Sequence, residues 1–176
     1  ALPPSASYVT IRAFEPHSLY TMRLAQKGEL LTHHKDKAVL TLMNVGSVIE
    51  TDFIAVRPDM SLGDVVKEAI AKSSRSMFPV VNTEGVLLGI VLVDNIRNIM
   101  FRPELYERFR VSRFMVSPPA RIVNDMPMEK IMHIFDDTKA WNLPVVDTEG
   151  KYIGFVSKSK IFNAYREVLV DTFTGD

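Results

Sequence analysis

The sequence predicts an α+β protein built from two copies of one β-α-β-β-α unit. Three observations predict it. The segment FPVVNTEG, residues 78–85, recurs 65 positions later as LPVVDTEG, residues 143–150. The match continues, with GIVLVDNI at 89–96 aligning with GFVSKSKI at 154–161. In each copy an amphipathic spacing precedes two short apolar runs joined by a Gly-ended turn. A repeat of this kind means the chain is built twice from one unit. A unit so small cannot bury its apolar face alone, so a site is expected between the copies.

Composition sets the outer bounds. The 176 residues suffice for one domain of ordinary size, and 47% hydrophobic with 24% charged residues is usual for a globular protein. A formal net charge of zero gives no general attraction to nucleic acid or anionic membrane. With no cysteine there is neither a disulfide frame nor a thiolate metal site. The longest apolar runs, such as 86–93, are strand-sized and fall short of the ~20 residues a membrane-spanning helix needs. No signal peptide is visible, and a start at Ala1 instead of Met is expected of a segment cut from a longer protein.

Taken in order, residues 1–10 carry two adjacent prolines and read as an irregular lead-in. Residues 15–42 read as broken helix interrupted by Gly28, with residues 33–37 as a polar turn. Leu19, Tyr20, Leu24, Leu30, Leu31, Val39, Leu40 and Leu42 are too many apolar side chains for a solvated tether, so this segment is expected to dock. In the first repeat, 53–56 reads as a short strand and Pro58-Asp59 as a turn. Leu62, Val65, Val66, Ala69 and Ile70 have helical spacing behind Ser61, which can cap the helix, with Asp64 three residues on near the positive end of its dipole. Strands follow at 77–81 and 86–92, with Gly85 supplying a positive φ to the turn between them, and then a short helix at 93–100. Both strands are almost continuously apolar, as expected when both faces are covered. The second repeat repeats the order. It has a strand at 121–123 and a helix opened by Asp125 and Pro127 with Met128, Ile131, Met132 and Phe135 on one side. Hairpin strands at 143–146 and 152–156 and a closing helix at 158–169 complete it. Residues 101–115 between the repeats form an Arg-rich linker whose charges are expected to be solvated or interface-facing.

A β-α-β-β-α unit with apolar-Pro-Val-Val, an acidic-Gly turn and then Gly-apolar-Val resembles the cystathionine-β-synthase (CBS) domain. Two in tandem resemble the CBS pair, or Bateman module. The resemblance covers residues 45–170. The organisation it implies is a linker over 1–44, a first repeat with inter-repeat linker over 45–112, and a second repeat over 113–176. The segment 14–37, with Ser18-Leu-Tyr20, Leu24, Lys27-Gly28 and the run into Lys35-Asp-Lys37, resembles the stretch joining the last membrane helix of CLC chloride channels and transporters to their cytoplasmic CBS pair.

The resemblance implies an adenine-nucleotide cleft. Its contacts are the residues just before apolar-Pro-Val-Val and a Gly-apolar-apolar-Thr/Ser-x-x-Asp motif whose Asp takes the ribose hydroxyls. Carried onto this chain, the candidates are Arg75 and Ser76, Asn95, Trp141 and Asn142, and Ser157 and Lys160. The chain departs from the pattern twice. Leu92 and Asn95 stand at the hydroxyl and carboxylate positions of the first repeat, and Lys160 replaces the carboxylate of the second. A carboxylate accepts two bonds from a vicinal diol, whereas a lysine has three donors and no acceptor and suits a phosphate instead. Trp141 either stacks on a base or fills the cleft as large aromatics fill cores. ATP, ADP or AMP is therefore expected to bind weakly, with no firmly held cofactor. His33 and His34 are adjacent and do not face one point, and Asp136 with Asp137 is a lone acidic pair, so no metal site is expected.

The sequence contains no nucleophile, base and orienting group in a recognisable pattern and no Gly-rich phosphate loop, so an enzyme is not expected. The resemblance implies a regulatory domain at the cytoplasmic face of the membrane. It would dimerise through its repeats, partnered by an upstream transmembrane CLC domain and by no nucleic acid, and would modulate chloride transport. The Met-rich helix of the second repeat and its counterpart are expected to supply the dimer surface. The alternative is a soluble adenine-nucleotide-sensing CBS pair that regulates an attached enzyme.

Overall fold

The computed structural model describes residues 34–173. Helix α1 (His34–Leu42) leads into a short 3-10 turn, and the first unit follows: helix α2 (Leu62–Glu68), strands β1 (Met77–Val81) and β2 (Leu87–Leu92), and helix α3 (Val93–Ile96). Helix α4 (Val111–Phe114) connects to the second unit of β3 (Ile122–Val123), α5 (Met128–Thr138), β4 (Asn142–Val146), β5 (Tyr152–Ser157) and α6 (Lys158–Phe173). The fold is the expected α+β pair of repeats.

Each hairpin follows from its residues. Strands β1 and β2 pair antiparallel, as do β4 and β5, with the same irregularity at the second Val of each Pro-Val-Val. Gly85 and Gly150 both sit at φ +84°, in the left-handed region where a Cβ is penalised, and so close the two turns. The helices are anchored just as locally. Ser61 caps α2 by accepting the Asp64 N–H, while the Asp64 carboxylate accepts the Ser61 N–H, both at 3.1 Å.

Single backbone bridges tie each sheet to the segment leading into the other repeat. Glu50, on the way into the first repeat, lies antiparallel to Phe155 of β5 in the second. Val116, on the way into the second repeat, lies antiparallel to Ile90 of β2 in the first. The turns also meet, since the Tyr152 N–H donates to the Gly85 carbonyl and the Leu87 N–H to the Gly150 carbonyl.

Two apolar clusters result, and each borrows from the segment leading into the other repeat. Val39, Leu40, Val45 and Val48 join Ile131, Met132, Phe135, Leu143 and Val156 in the second repeat's core. Leu105 and Val111 join Val56, Leu62, Val65, Phe78 and Val91 in the first.

Several local expectations are corrected. Residues 34–37 belong to α1 and not to a polar turn, because the helix runs unbroken into the buried Val39 and Leu40. His33 of that expected turn lies outside the described residues, as do Leu19, Tyr20, Leu24, Leu30 and Leu31 of the set expected to dock, while Leu42 is exposed. Residues 53–56 form no strand; only Val56 bridges to Val80, because Phe53 turns away to stack on Phe155 at 4.5 Å. The helix expected at 93–100 ends at Ile96 and continues as turns. The linker 101–115 contains a 3-10 turn (Pro103–Leu105) and α4, both packed on the first core. Met128, Ile131, Met132 and Phe135 are buried in the second repeat's core, while Met126 and Ile134 beside them are only partly buried.

Candidate functional site

The bridge from Glu50 to β5 borders a cleft of about 400 Å³ beside the N-terminal end of α6, walled by Glu50, Ser157, Ser159, Lys160, Asn163 and Glu167. Its floor is fixed by backbone pairing. The Glu50 N–H donates to the Phe155 carbonyl at 2.8 Å, and the Phe155 N–H donates back to Glu50 at 2.9 Å. Gly154 permits this approach, for a Cβ there would lie 2.5 Å from the Glu50 carbonyl oxygen.

Charge in the cleft is paired across the repeats. The Glu50 carboxylate is partly buried and lies 3.6 Å from Lys160 Nζ through one oxygen and 3.6 Å from Arg75 Nη1 through the other. Arg75 also donates to Asp52 and stacks its guanidinium 4.4 Å over the Phe53 ring. The Arg75 hydrogen bond holds the Asp52 carboxyl below its ordinary range, and Asp52 in turn raises Arg75. Tyr152 packs edge-on against Phe155. Its hydroxyl is buried with no hydrogen-bond partner among the described residues, and burial pushes it well above the ordinary phenol value.

The expected site residues divide. Ser157 and Lys160 wall the cleft, and the Ser157 hydroxyl accepts the Lys160 N–H at 3.1 Å, capping the start of α6. Arg75 reaches the cleft from the other repeat through Glu50. Asn142 is half-buried and pairs in register with Ser157. Trp141 is 67% exposed, with Lys158 Nζ over its ring at 5.6 Å, so of its two expected roles it does not fill the cleft. Ser76 and Asn95 belong to the first repeat's equivalent position and are exposed there. Ser76 gives its carbonyl to the Val93 N–H, as Trp141 gives its own to Lys158.

Sequence reasoning missed Glu50 and Asp52. Neither lies in a repeated motif. Asp136 of the acidic pair is 3.9 Å from Lys158 Nζ, and no metal-holding cluster of His, Asp or Glu occurs among the described residues. No helix among them is long and apolar enough to cross a membrane.

Comparison with known proteins agrees with the architecture. A CBS domain-containing protein of Dictyostelium discoideum is 26% identical over 135 residues, which cover 71% of this chain and 92% of that protein. A homoserine O-acetyltransferase of Methanococcus vannielii is 21% identical over 90% of this chain, which spans only 31% of that protein's length. Three solved structures share the fold at low identity. The CBS domain of a bacterial CNNM/CorC family Mg2+ transporter in complex with ATP has a TM-score of 0.62 at 15% identity, covering 72% of this chain and 89% of that one. CBSX2 in complex with AMP has a TM-score of 0.58 at 22% identity, covering 72% and 98%. CbpB in complex with c-di-AMP has a TM-score of 0.64 at 17% identity, covering 81% and 97%. The CBS domain model itself matches residues 45–102 and 111–167, which are the two repeats bridged beside the cleft, and the chain therefore belongs to the CBS domain family.

Proposed function

We propose that this chain is a regulatory CBS pair whose inter-repeat cleft takes an adenine nucleotide weakly and passes its occupancy to an attached domain. The observation that carries this reading is the cleft itself. It has about 400 Å³ of space, a capped helix start at Ser157, one cation, Lys160, in its wall, and a second, Arg75 of the other repeat, held behind it by Glu50. A ligand that touches both repeats favours one arrangement of them over another, and that difference is the whole basis of a population shift. Proteins of similar fold whose structures are in complex with ATP, AMP and c-di-AMP support the ligand class. Arg75, Ser157 and Lys160 would face phosphate, Trp141 and Asn142 the base, with Ser76 and Asn95 at the equivalent position of the first repeat.

Lys160 stands where a ribose-binding carboxylate would serve, which sets the affinity low. Losing charge-assisted bonds at roughly 1.5–3 kcal/mol each costs a factor of ten or more. Titration calorimetry with ATP, ADP and AMP should give Kd values above ~100 μM. A low-micromolar constant for any of them overturns the weak-binding reading; no heat at millimolar nucleotide overturns nucleotide binding altogether.

For the parent protein we infer a CLC-type chloride channel or antiporter, with the pair dimerising at its cytoplasmic face. The resemblance of 14–37 to the CLC connecting segment supports it, as does α1 docked at that segment's end. Exposed Phe101 and Trp141 offer apolar surface for a second copy. The acetyltransferase match favours the other reading, a pair attached to a soluble enzyme. The residues encoded ahead of Ala1 discriminate: several apolar segments of ~20 residues support the first, and a catalytic domain sinks it. A strictly monomeric mass in sedimentation equilibrium would remove the dimer.

A further inference from the structure

We propose that Glu50 is an internal occupant of the anion position, a carboxylate that must be displaced before any phosphate can use the cleft's cations. The inference rests on the nucleotide reading for the ligand's chemistry, but its physical content concerns this chain's own charges.

The geometry is specific. Glu50 is placed by two backbone hydrogen bonds to Phe155, so its side chain starts from a fixed point on the cleft floor. From there its two carboxylate oxygens divide between the two cations, one 3.6 Å from Lys160 Nζ and the other 3.6 Å from Arg75 Nη1. These bonds join the repeats: Lys160 belongs to the second, Arg75 to the first, and Glu50 to the segment leading into the first. Arg75 has a second carboxylate partner in Asp52, and Glu167 also lines the cleft. A ligand phosphate therefore meets an already neutralised site, with one further acid, Glu167, in the cleft wall and another, Asp52, holding Arg75 from outside it.

Like charges that a ligand must approach cost affinity in proportion to the charge it brings, whereas a neutral ligand feels little. Glu50 thus acts as a specificity-determining residue. It biases the cleft against polyanions and toward ligands with few phosphates. It also links binding to the repeat interface, because displacing it breaks the ion pairs that hold Lys160 to Arg75.

The test uses the whole chain and the near-isosteric Glu50→Gln variant. Calorimetric titration with inorganic tripolyphosphate, ATP and adenosine reads the charge dependence. Tripolyphosphate affinity should rise at least about tenfold in Glu50→Gln. The gain should vanish when Lys160→Met is added, which ties it to the cleft. Equal tripolyphosphate affinity in wild type and Glu50→Gln, or a gain that survives Lys160→Met, overturns the proposal. ATP gaining alongside tripolyphosphate while adenosine does not supports both readings. Tripolyphosphate gaining while neither ATP nor adenosine binds supports the Glu50 role and sinks the nucleotide reading instead. Should Glu50→Gln prove poorly folded by thermal unfolding, Glu50→Ala, which keeps the backbone pairing to Phe155, should give a gain of the same charge order; no gain there overturns the proposal.

Discussion

Ser61 is 1% exposed, a buried polar side chain that survives burial because both its groups are satisfied. Its hydroxyl accepts the Asp64 N–H and its own N–H is taken by the Asp64 carboxylate. Replacing Ser61 by Ala should lower stability by about 1 kcal/mol, read from the urea midpoint with unchanged slope. The partner carries a pH signature. The Ser61 backbone N–H, and after it the Ser61 hydroxyl, hold the Asp64 carboxyl below its ordinary value. A depressed folded value gives stability that is present above the unfolded value of ~3.9 and is lost as pH falls through the folded one. The stability difference between wild type and Asp64→Asn should therefore be full near neutrality and shrink in acid; a difference growing below pH ~4 would sink this account. The Ser61 cap was legible in the sequence because it is local: Ser just ahead of an apolar helical spacing, with Asp three positions on. Glu50 was not legible for the opposite reason. Its partners Arg75, Phe155 and Lys160 are brought to it by the bridge between the repeats, and no motif at residue 50 announces that. The two roles open to Trp141 could not be separated from sequence, which shows size and not which side of a strand end faces solvent.

At the scale of elements, the repeated hairpins were legible because strand period, Pro-Val-Val core and Gly turn all agree within some fifteen residues. The short pairings were not, because Glu50, Val56 and Val116 are single bridges carrying no periodic signal. Two glycines make the bridges between repeats possible, and they are not equally constrained. A Cβ at Gly154 would meet the Glu50 carbonyl oxygen at 2.5 Å and Ile49 Cγ2 at 2.6 Å. At Gly89 it would meet the Val116 carbonyl oxygen at 2.9 Å and the flexible end of Met115 at 3.3 Å. Backbone cannot yield as a methionine can. Gly154→Ala should cost toward the upper end of the roughly 1–3 kcal/mol typical of overpacking, and Gly89→Ala less. Urea unfolding of the two variants gives the order directly, and a larger loss for Gly89→Ala would mean the Glu50 bridge is not the tighter of the two. The prediction bears on function, since moving Glu50 moves the charge that holds the cleft.

At the scale of the molecule, neither repeat closes its own core. Leu105 and Val111 complete the first, and Val39, Leu40, Val45 and Val48 complete the second. Helix α1 rests on α5 and α6 through Val39 and Leu40, which are 1% and 2% exposed, while Leu42 points away at 66%. Among the described residues the expected docking is carried by Val39 and Leu40 and not by Leu42, because a helix this short presents only one narrow face. Docked in this way, α1 couples whatever precedes it to α6, the helix whose first turn walls the cleft. Leu40→Ala removes a fully buried leucine and should destabilise by about 2–5 kcal/mol. Hydrogen exchange separates docking from mere helix propensity, since an isolated nine-residue helix is marginal in water. In wild type the amides of residues 39–42 should be protected nearly as well as those of β4, and Leu40→Ala should release α1 while β4 stays protected. If α1 exchanges freely in wild type, it is a loose tether, and occupancy of the cleft has no rigid path to an attached domain on that side of the pair.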